Sequence, residues 1–131
     1  MRSHFEFRSP DLLTRNDEAV PYGKPVAEML ATQLPAYGYE VERIVQDDWG
    51  WLVRLVNPSF PLWIGCGHYE EYPDGHLCFI EPSRPYVRRW LKRVSTAEIV
   101  ERLATALEKI VRDSGQATDL HWWTDTGAGT G

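Results

Sequence analysis

Cysteine is scarce in this chain, with two in 131 residues. Two thiols make no disulfide framework, so a hydrophobic core has to hold the fold. Positive charge is also in deficit: Lys and Arg number 14 against 19 Asp and Glu, for a formal net charge of −5. Binding to nucleic acid in general needs a positive footprint for the phosphate backbone, which makes nucleic acid an unexpected partner here. The same balance suits a basic protein partner. No apolar run reaches the length of a membrane span, and the first residues carry no apolar leader. The expectation is a cytoplasmic protein of bacterial type with no membrane partner. Nucleophile, nucleotide and zinc-protease signatures are missing too. There is no Gly-x-Ser-x-Gly, no Walker loop, no dinucleotide fingerprint and no His-Glu-x-x-His, which weighs against an enzyme.

What the chain does have is apolar bulk. Hydrophobic residues make up 43%, and six are tryptophan, enough for one folded domain. The apolar content concentrates between Trp49 and Pro82, which reads as three consecutive strands rich in aromatic and β-branched residues. Another strand, from Tyr39 to Gln46, precedes them, with Asp47-Asp48 as the turn. Asn57-Pro58-Ser59 and the polar loop Glu70 to Gly75 supply the next turns, the latter ending in an Asp-Gly pair that tolerates positive φ. A helix of about 10 to 12 residues is predicted from Pro25, with Val26, Met29, Leu30 and Leu34 as its apolar stripe and Gly38 as a left-handed stop. A second helix is predicted after Ser95-Thr96-Ala97-Glu98, a capping-box pattern, with Ile99, Leu103, Leu107 and Ile110 on one stripe. Glu98 with Arg102 and Glu108 with Arg112 have the spacing of ion pairs one helical turn apart.

Three stretches are less regular. Residues 4 to 8 alternate as a short edge strand. Residues 83 to 94 mix five basic residues with Tyr86, Val87, Trp90 and Leu91 and read as an irregular turn or a short helical crossover. Leu120, Trp122 and Trp123 suggest a final strand or a docked segment. The expected fold is therefore α+β, an antiparallel meander of about 4–6 strands with two helices on one face, in the order (β)-α-β-β-β-β-α-(β). The expected divisions are an N-terminal strand and loop extension over 1–23, one domain over 24–124, and a mobile Gly-rich tail over 125–131.

Four side chains form the one coherent ligating set. Cys66, His68, His76 and Cys78 read Cys-x-His, seven residues, His-x-Cys. A hairpin that pairs 68 with 76 also pairs 66 with 78 and turns all four to one face. Cys2His2 suits zinc, although structural zinc sites usually take Cys-x2–4-Cys spacing from loops. The plainer expectation is two buried filler cysteines and two histidines at the hairpin mouth, with no cofactor. In Gly65-Cys66-Gly67, glycine inside a strand pattern predicts a bulge or a close backbone contact under an aromatic ring.

The other candidates concern binding. If both helices cover one sheet face, the opposite face is partly bare, and Trp49, Trp51 and Trp63 are the candidate anchors. Glu70, Glu71 and Asp74 at the hairpin tip would add charge complementarity to a basic partner. A bare apolar face also permits pairing with a second copy as a homodimer. The basic run from Arg84 to Arg93, with Tyr86 and Trp90 as stacking groups, would be the nucleic-acid contact if there were one.

Asp47-Asp48-Trp49-Gly50-Trp51, Leu62-Trp63-Ile64-Gly65-Cys66-Gly67, Phe79-Ile80-Glu81-Pro82 and Trp122-Trp123 together resemble a family of small uncharacterised bacterial proteins. The resemblance covers about residues 24 to 124 and implies no catalytic residue. Size and acidity are also similar, more loosely, to immunity proteins that neutralise secreted bacterial toxins. The functional expectation is a non-enzymatic, immunity-like protein-binding module, with a zinc-binding domain or small metal-dependent enzyme on the 66–78 hairpin as the alternative.

Overall fold

The computed structural model describes residues 1–13 and 21–123. The tail at 125–131 lies outside the described residues, as does the stretch 14–20 of the N-terminal loop. The fold is α+β. Among the described residues it has two α-helices, a six-stranded antiparallel sheet and a separate two-stranded ribbon. The strands are β1 (His4–Arg8), β2 (Val41–Asp47), β3 (Gly50–Leu55), β4 (Leu62–His68), β5 (Gly75–Glu81), β6 (Tyr86–Arg89), β7 (Lys92–Ser95) and β8 (Thr118–Trp123). The helices are α1 (Lys24–Gln33) and α2 (Ala97–Asp113). Sheet order is β2-β3-β4-β5-β1-β8, so the meander β2 to β5 is continued by strands from both ends of the chain.

Side chains alternate across a strand, so one register decides both faces. Val53 opposes Ile64, and Ile64 opposes Ile80; Cys66 opposes Cys78, and Cys78 opposes Phe5. All six are fully or almost fully buried, against the apolar stripes of both helices. α1 supplies Val26, Ala27 and Leu30, and α2 supplies Val100, Leu103, Leu107 and Ile110. Burying side chains of this size stabilises by roughly 1.5–3 kcal/mol each before entropy is counted. The two helices therefore cover one face, and the residues alternating with the core set look the other way.

β1 is not at an edge. It lies between β5 and β8, and Phe5 and Phe7 are buried completely or nearly so. The reason is that the last strand also needs a partner, and β1 supplies it. The Trp122 indole N–H donates to Glu108 of α2 at 2.7 Å, and Trp122 stacks on Phe5 at 4.6 Å. Burial alone would raise the Glu108 carboxyl, but the Trp122 N–H and the Arg112 and Arg2 charges hold it below the usual range.

The helix ends differ in part from expectation. α1 follows Gly23, at φ 113, and carries Pro25 in its first turn. A 3₁₀ turn, Leu34–Tyr37, then leads into Gly38 at φ 90, the expected left-handed stop. At α2 the capping box is not made. Thr96 occupies the cap, but its hydroxyl donates to the Arg84 carbonyl instead of accepting a helix N–H. The tertiary bond ties α2 to the segment before it and takes the place of the local one. Both expected ion pairs on α2 form, each at 3.1 Å.

Residues 83–94 are neither irregular nor helical. β6 and β7 make a hairpin in which Val87 opposes Val94 and Arg89 opposes Lys92. The two valines pack toward the core, while Arg88, Arg89, Lys92 and Arg93 between them are all exposed. Arg89 donates to the carbonyls of Pro58 and Ser59 at 2.9 and 3.0 Å, which pins the hairpin to the β3–β4 turn.

Candidate functional site

The uncovered sheet face carries an arrangement of its own. Gly65 and Gly67 of β4 point to it, and neither carries a Cβ. Phe79, directly opposite Gly65, lies over it; a Cβ there would run into the end of the ring. Trp49 lies over Gly67, whose Cβ would sit 3.6 Å from the indole and 3.2 Å from the Trp49 carbonyl. The predicted close contact under an aromatic ring is therefore present, twice. Trp49 and Phe79 are 5.1 Å apart, Trp63 meets Phe79 edge-on at 5.6 Å, and Trp49 and Trp63 are 6.4 Å apart. Such spacings are those of mutually attractive aromatic pairs. The row continues from Phe79 to His4 at 5.8 Å, and His4 stacks on Trp123 at 4.2 Å. Trp49 remains 40% exposed.

Two hollows bound this face at its opposite ends. At one end a cleft of about 260 Å³ lies between Trp49, Gly67, His68, Leu77 and Phe79. Asp47 opposes Gly50, Gly50 opposes Gly67 and His68 opposes His76, so the β2–β3 turn and the 69–74 loop both rise at that end. It is consequently acidic, with Asp47, Asp48, Glu70 and Glu71 all exposed. At the other end a groove of about 740 Å³ separates Trp63 from the β6–β7 hairpin, with Arg54, Phe60, Glu81 and Arg88 in its walls.

The predicted binding residues do not all share this face. Trp49 and Trp63 do. Trp51 pairs with Cys66 on the helix side; its indole N–H donates to the Pro21 carbonyl at 3.1 Å, and Lys24 lies 5.3 Å from its ring. It fastens the segment leading into α1. Glu70 and Glu71 are exposed, and Glu71 accepts from the Tyr69 hydroxyl, which pushes the Tyr69 pKa up. Asp74 is half-buried and accepts from Arg8 at 3.0 Å, so its charge is already matched.

The hairpin register expected for the Cys/His set is the one observed. Cys66 opposes Cys78, His68 opposes His76, and all four turn to the helix-covered face. Their environment is that of a core. Both cysteines are free thiols and almost wholly buried, and the thiol contact with Cys78, together with burial, raises the Cys66 pKa well above the ordinary value. A thiol held protonated is a poor nucleophile and a poor ligand. His76 donates from Nε2 to the Ser9 carbonyl at 2.8 Å and stacks on Phe7, and burial lowers its pKa. His68 stacks on Tyr22 at 4.3 Å. Nδ1 of each histidine is buried without a hydrogen-bond partner among the described residues. Among those residues no three His, Cys, Asp or Glu side chains converge as a metal site.

Phe79, which completes the aromatic cluster, is not among the predicted site residues, although Gly65 opposite it in the hairpin register signals it. Leu91 is also missed as a surface group, whereas Trp90 beside it is the stacking group named for a nucleic-acid contact. Trp90 and Leu91 stand at the β6–β7 tip, 97% and 93% exposed. Their signal is symmetry: Val87-Arg88-Arg89 and Lys92-Arg93-Val94 mirror one another about residues 90 and 91.

No family model matches the chain, and no curated protein and no solved structure matches it either. Among the described residues no helix is long and apolar enough to cross a membrane.

Proposed function

We propose that this chain is a non-enzymatic protein-binding module that presents its uncovered sheet face to a protein partner. The observation that carries the reading is the packed trio Trp49, Trp63 and Phe79 on the face the helices leave open, with Trp49 40% exposed. Rigid aromatic groups of this kind, partly desolvated and fixed by their neighbours, are the usual anchors of an interface. Exposed Glu70 and Glu71 beside the cleft at one end favour a partner that brings positive charge to that rim. An immunity-like role, in which the partner is a toxin to be covered, is the specific form of this reading that size and acidity suggest.

A photo-crosslinking residue at position 49, introduced in the native host, tests it by naming what touches the face. Binding of the purified partner should weaken by roughly tenfold or more in Trp49→Ala and in Trp63→Ala. Trp51→Ala, on the covered face, serves as the contrast. Equal binding by wild type and both open-face variants would end the proposal.

A further inference from the structure

The β6–β7 hairpin is an arm with a mismatched tip. Arg89 opposes Lys92, so two residues, Trp90 and Leu91, make the turn. Trp90 has φ 62, and Leu91 is not in the positive-φ region. A two-residue turn with positive φ at its first position is glycine's usual place. A bulky aromatic there is a strained choice, and strain of this kind collects where contacts are made. The tip is also as exposed as a side chain can be. Below it, Arg88, Arg89, Lys92 and Arg93 make the arm strongly basic, within a chain of net charge −5. Arg93 is held over Tyr86 at 3.8 Å, and Arg89, next to the tip, is bound to the β3–β4 turn, so the arm is held in place along its length.

The arm and the acidic cleft stand at opposite ends of one uncovered face. Arg88 walls the groove at one end, and Trp49 and Phe79 wall the cleft at the other. Two copies laid face to face and antiparallel would bring each arm to the other's cleft, so both contacts form together. We infer that the occupant of the open face is a second copy of this chain, with the Trp90–Leu91 tip of each copy seated in the Trp49–Phe79 cleft of the other. Charge selects this occupant, since basic arm meets Asp47, Asp48, Glu70 and Glu71. Symmetry permits closure, since the same pair of patches is used twice. The inference rests on the reading of the open face as a binding surface, and it replaces an unspecified partner with an identical chain.

Sedimentation velocity of the full chain across concentration, at low and at high salt, tests it. The expected result is a dimer at low salt that weakens as salt rises. Trp90→Gly suits the turn geometry better than tryptophan does, so the arm stays folded and melting should not fall. It should nonetheless weaken self-association roughly thirtyfold. Glu70→Lys with Glu71→Lys, on the exposed loop, should weaken it as well. Mixing the latter with a charge-reversed arm, Arg88→Glu with Lys92→Glu, should give a heterodimer, because both arm–cleft contacts then join opposite charges, whereas each variant alone sets like against like. A dimer indifferent to Trp90→Gly, or a mixture no better than its parts, would overturn the proposal. A monomer at every salt would do the same, including one whose arm instead carries it onto anionic phosphatidylserine vesicles or onto RNA. The reading of the face itself survives separately if a different protein crosslinks at position 49 while the chain stays monomeric.

Discussion

His76 shows how one side chain ties stability to pH. Its Nε2 holds the proton that bonds to the Ser9 carbonyl, so Nδ1 is the bare nitrogen, and that atom is buried without a partner among the described residues. Protonation would place an unmatched charge in the core, and burial accordingly lowers the pKa, with nearby His68 adding to the effect. In the unfolded chain the group titrates near 6.5. Below that value the unfolded state takes up a proton that the native state refuses. The stability His76 contributes is therefore full above about pH 6.5 and is lost as pH falls through the lower native pKa. Urea denaturation between pH 7.5 and pH 5 should show wild type losing stability more steeply than His76→Gln, and identical slopes would remove this account. Gly65 illustrates the opposite kind of constraint, set by space alone. In Gly65→Ala the new methyl meets the end of the Phe79 ring, so the ring must swing and disturb Trp49 and Trp63. Overpacking of this size costs about 1–3 kcal/mol. The expected outcome is a lower denaturation midpoint with altered tryptophan fluorescence, and recovery of part of the lost midpoint when Phe79 is also shortened to Leu.

At the scale of the element, the β4–β5 hairpin carries the main chemical question. Its register aligns Cys66 with Cys78 and His68 with His76, which is the geometric half of a zinc site. The surroundings work against the other half. The thiols of Cys66 and Cys78 contact each other beneath the helices, burial and that contact push the Cys66 pKa up, and the His76 Nε2 is committed to Ser9. Metal binding would have to deprotonate the thiols and break that bond. Elemental analysis of chelator-free protein should find far less than one zinc per chain. A full equivalent that vanishes in Cys66→Ser and in His76→Ala would reverse this view. The β6–β7 hairpin shows why charge alone misleads about local structure. Five basic residues in ten read as an irregular turn or a short helical crossover, yet Val87 opposes Val94 across a two-residue turn, a cross-strand pairing that charge along one segment does not reveal.

For the whole molecule, the two-layer arrangement decides what is available for contact. Both helices lie on one side, so the face with Trp49, Trp63 and Phe79 is left to solvent or to a partner. Charge is divided along that face, with Glu70, Glu71 and the Asp47-Asp48 turn at one end and the arginine-rich arm at the other. A net charge of −5 hides this division, because a sum carries no position. Partner selection follows the local fields, which are screened beyond about 8–10 Å at ordinary salt. The strong salt dependence expected of self-association is a property at this scale and of no single residue.

The amino-acid sequence by itself determined the α+β class, both helices, the meander from β2 to β5 and the pairing of 66 with 78. Those features rest on local periodicity, on turn residues such as Asp74-Gly75, and on stops such as Gly38, all of which act over a few residues. It also predicted a bulge or a close contact under an aromatic ring at the glycines of β4, and the contact is what the structure has. Only the tertiary structure decided that β1 sits between β5 and β8, that Thr96 bonds to Arg84 in place of capping its own helix, and that Trp51 lies on the covered face while Trp49 and Trp63 do not. Each of these depends on partners distant in the chain, and no local pattern encodes which of two sheet faces the helices will choose. The sheet face is chosen by the summed burial of residues from β1 to α2, so the bare face, and any site on it, exists only once the chain has closed on itself.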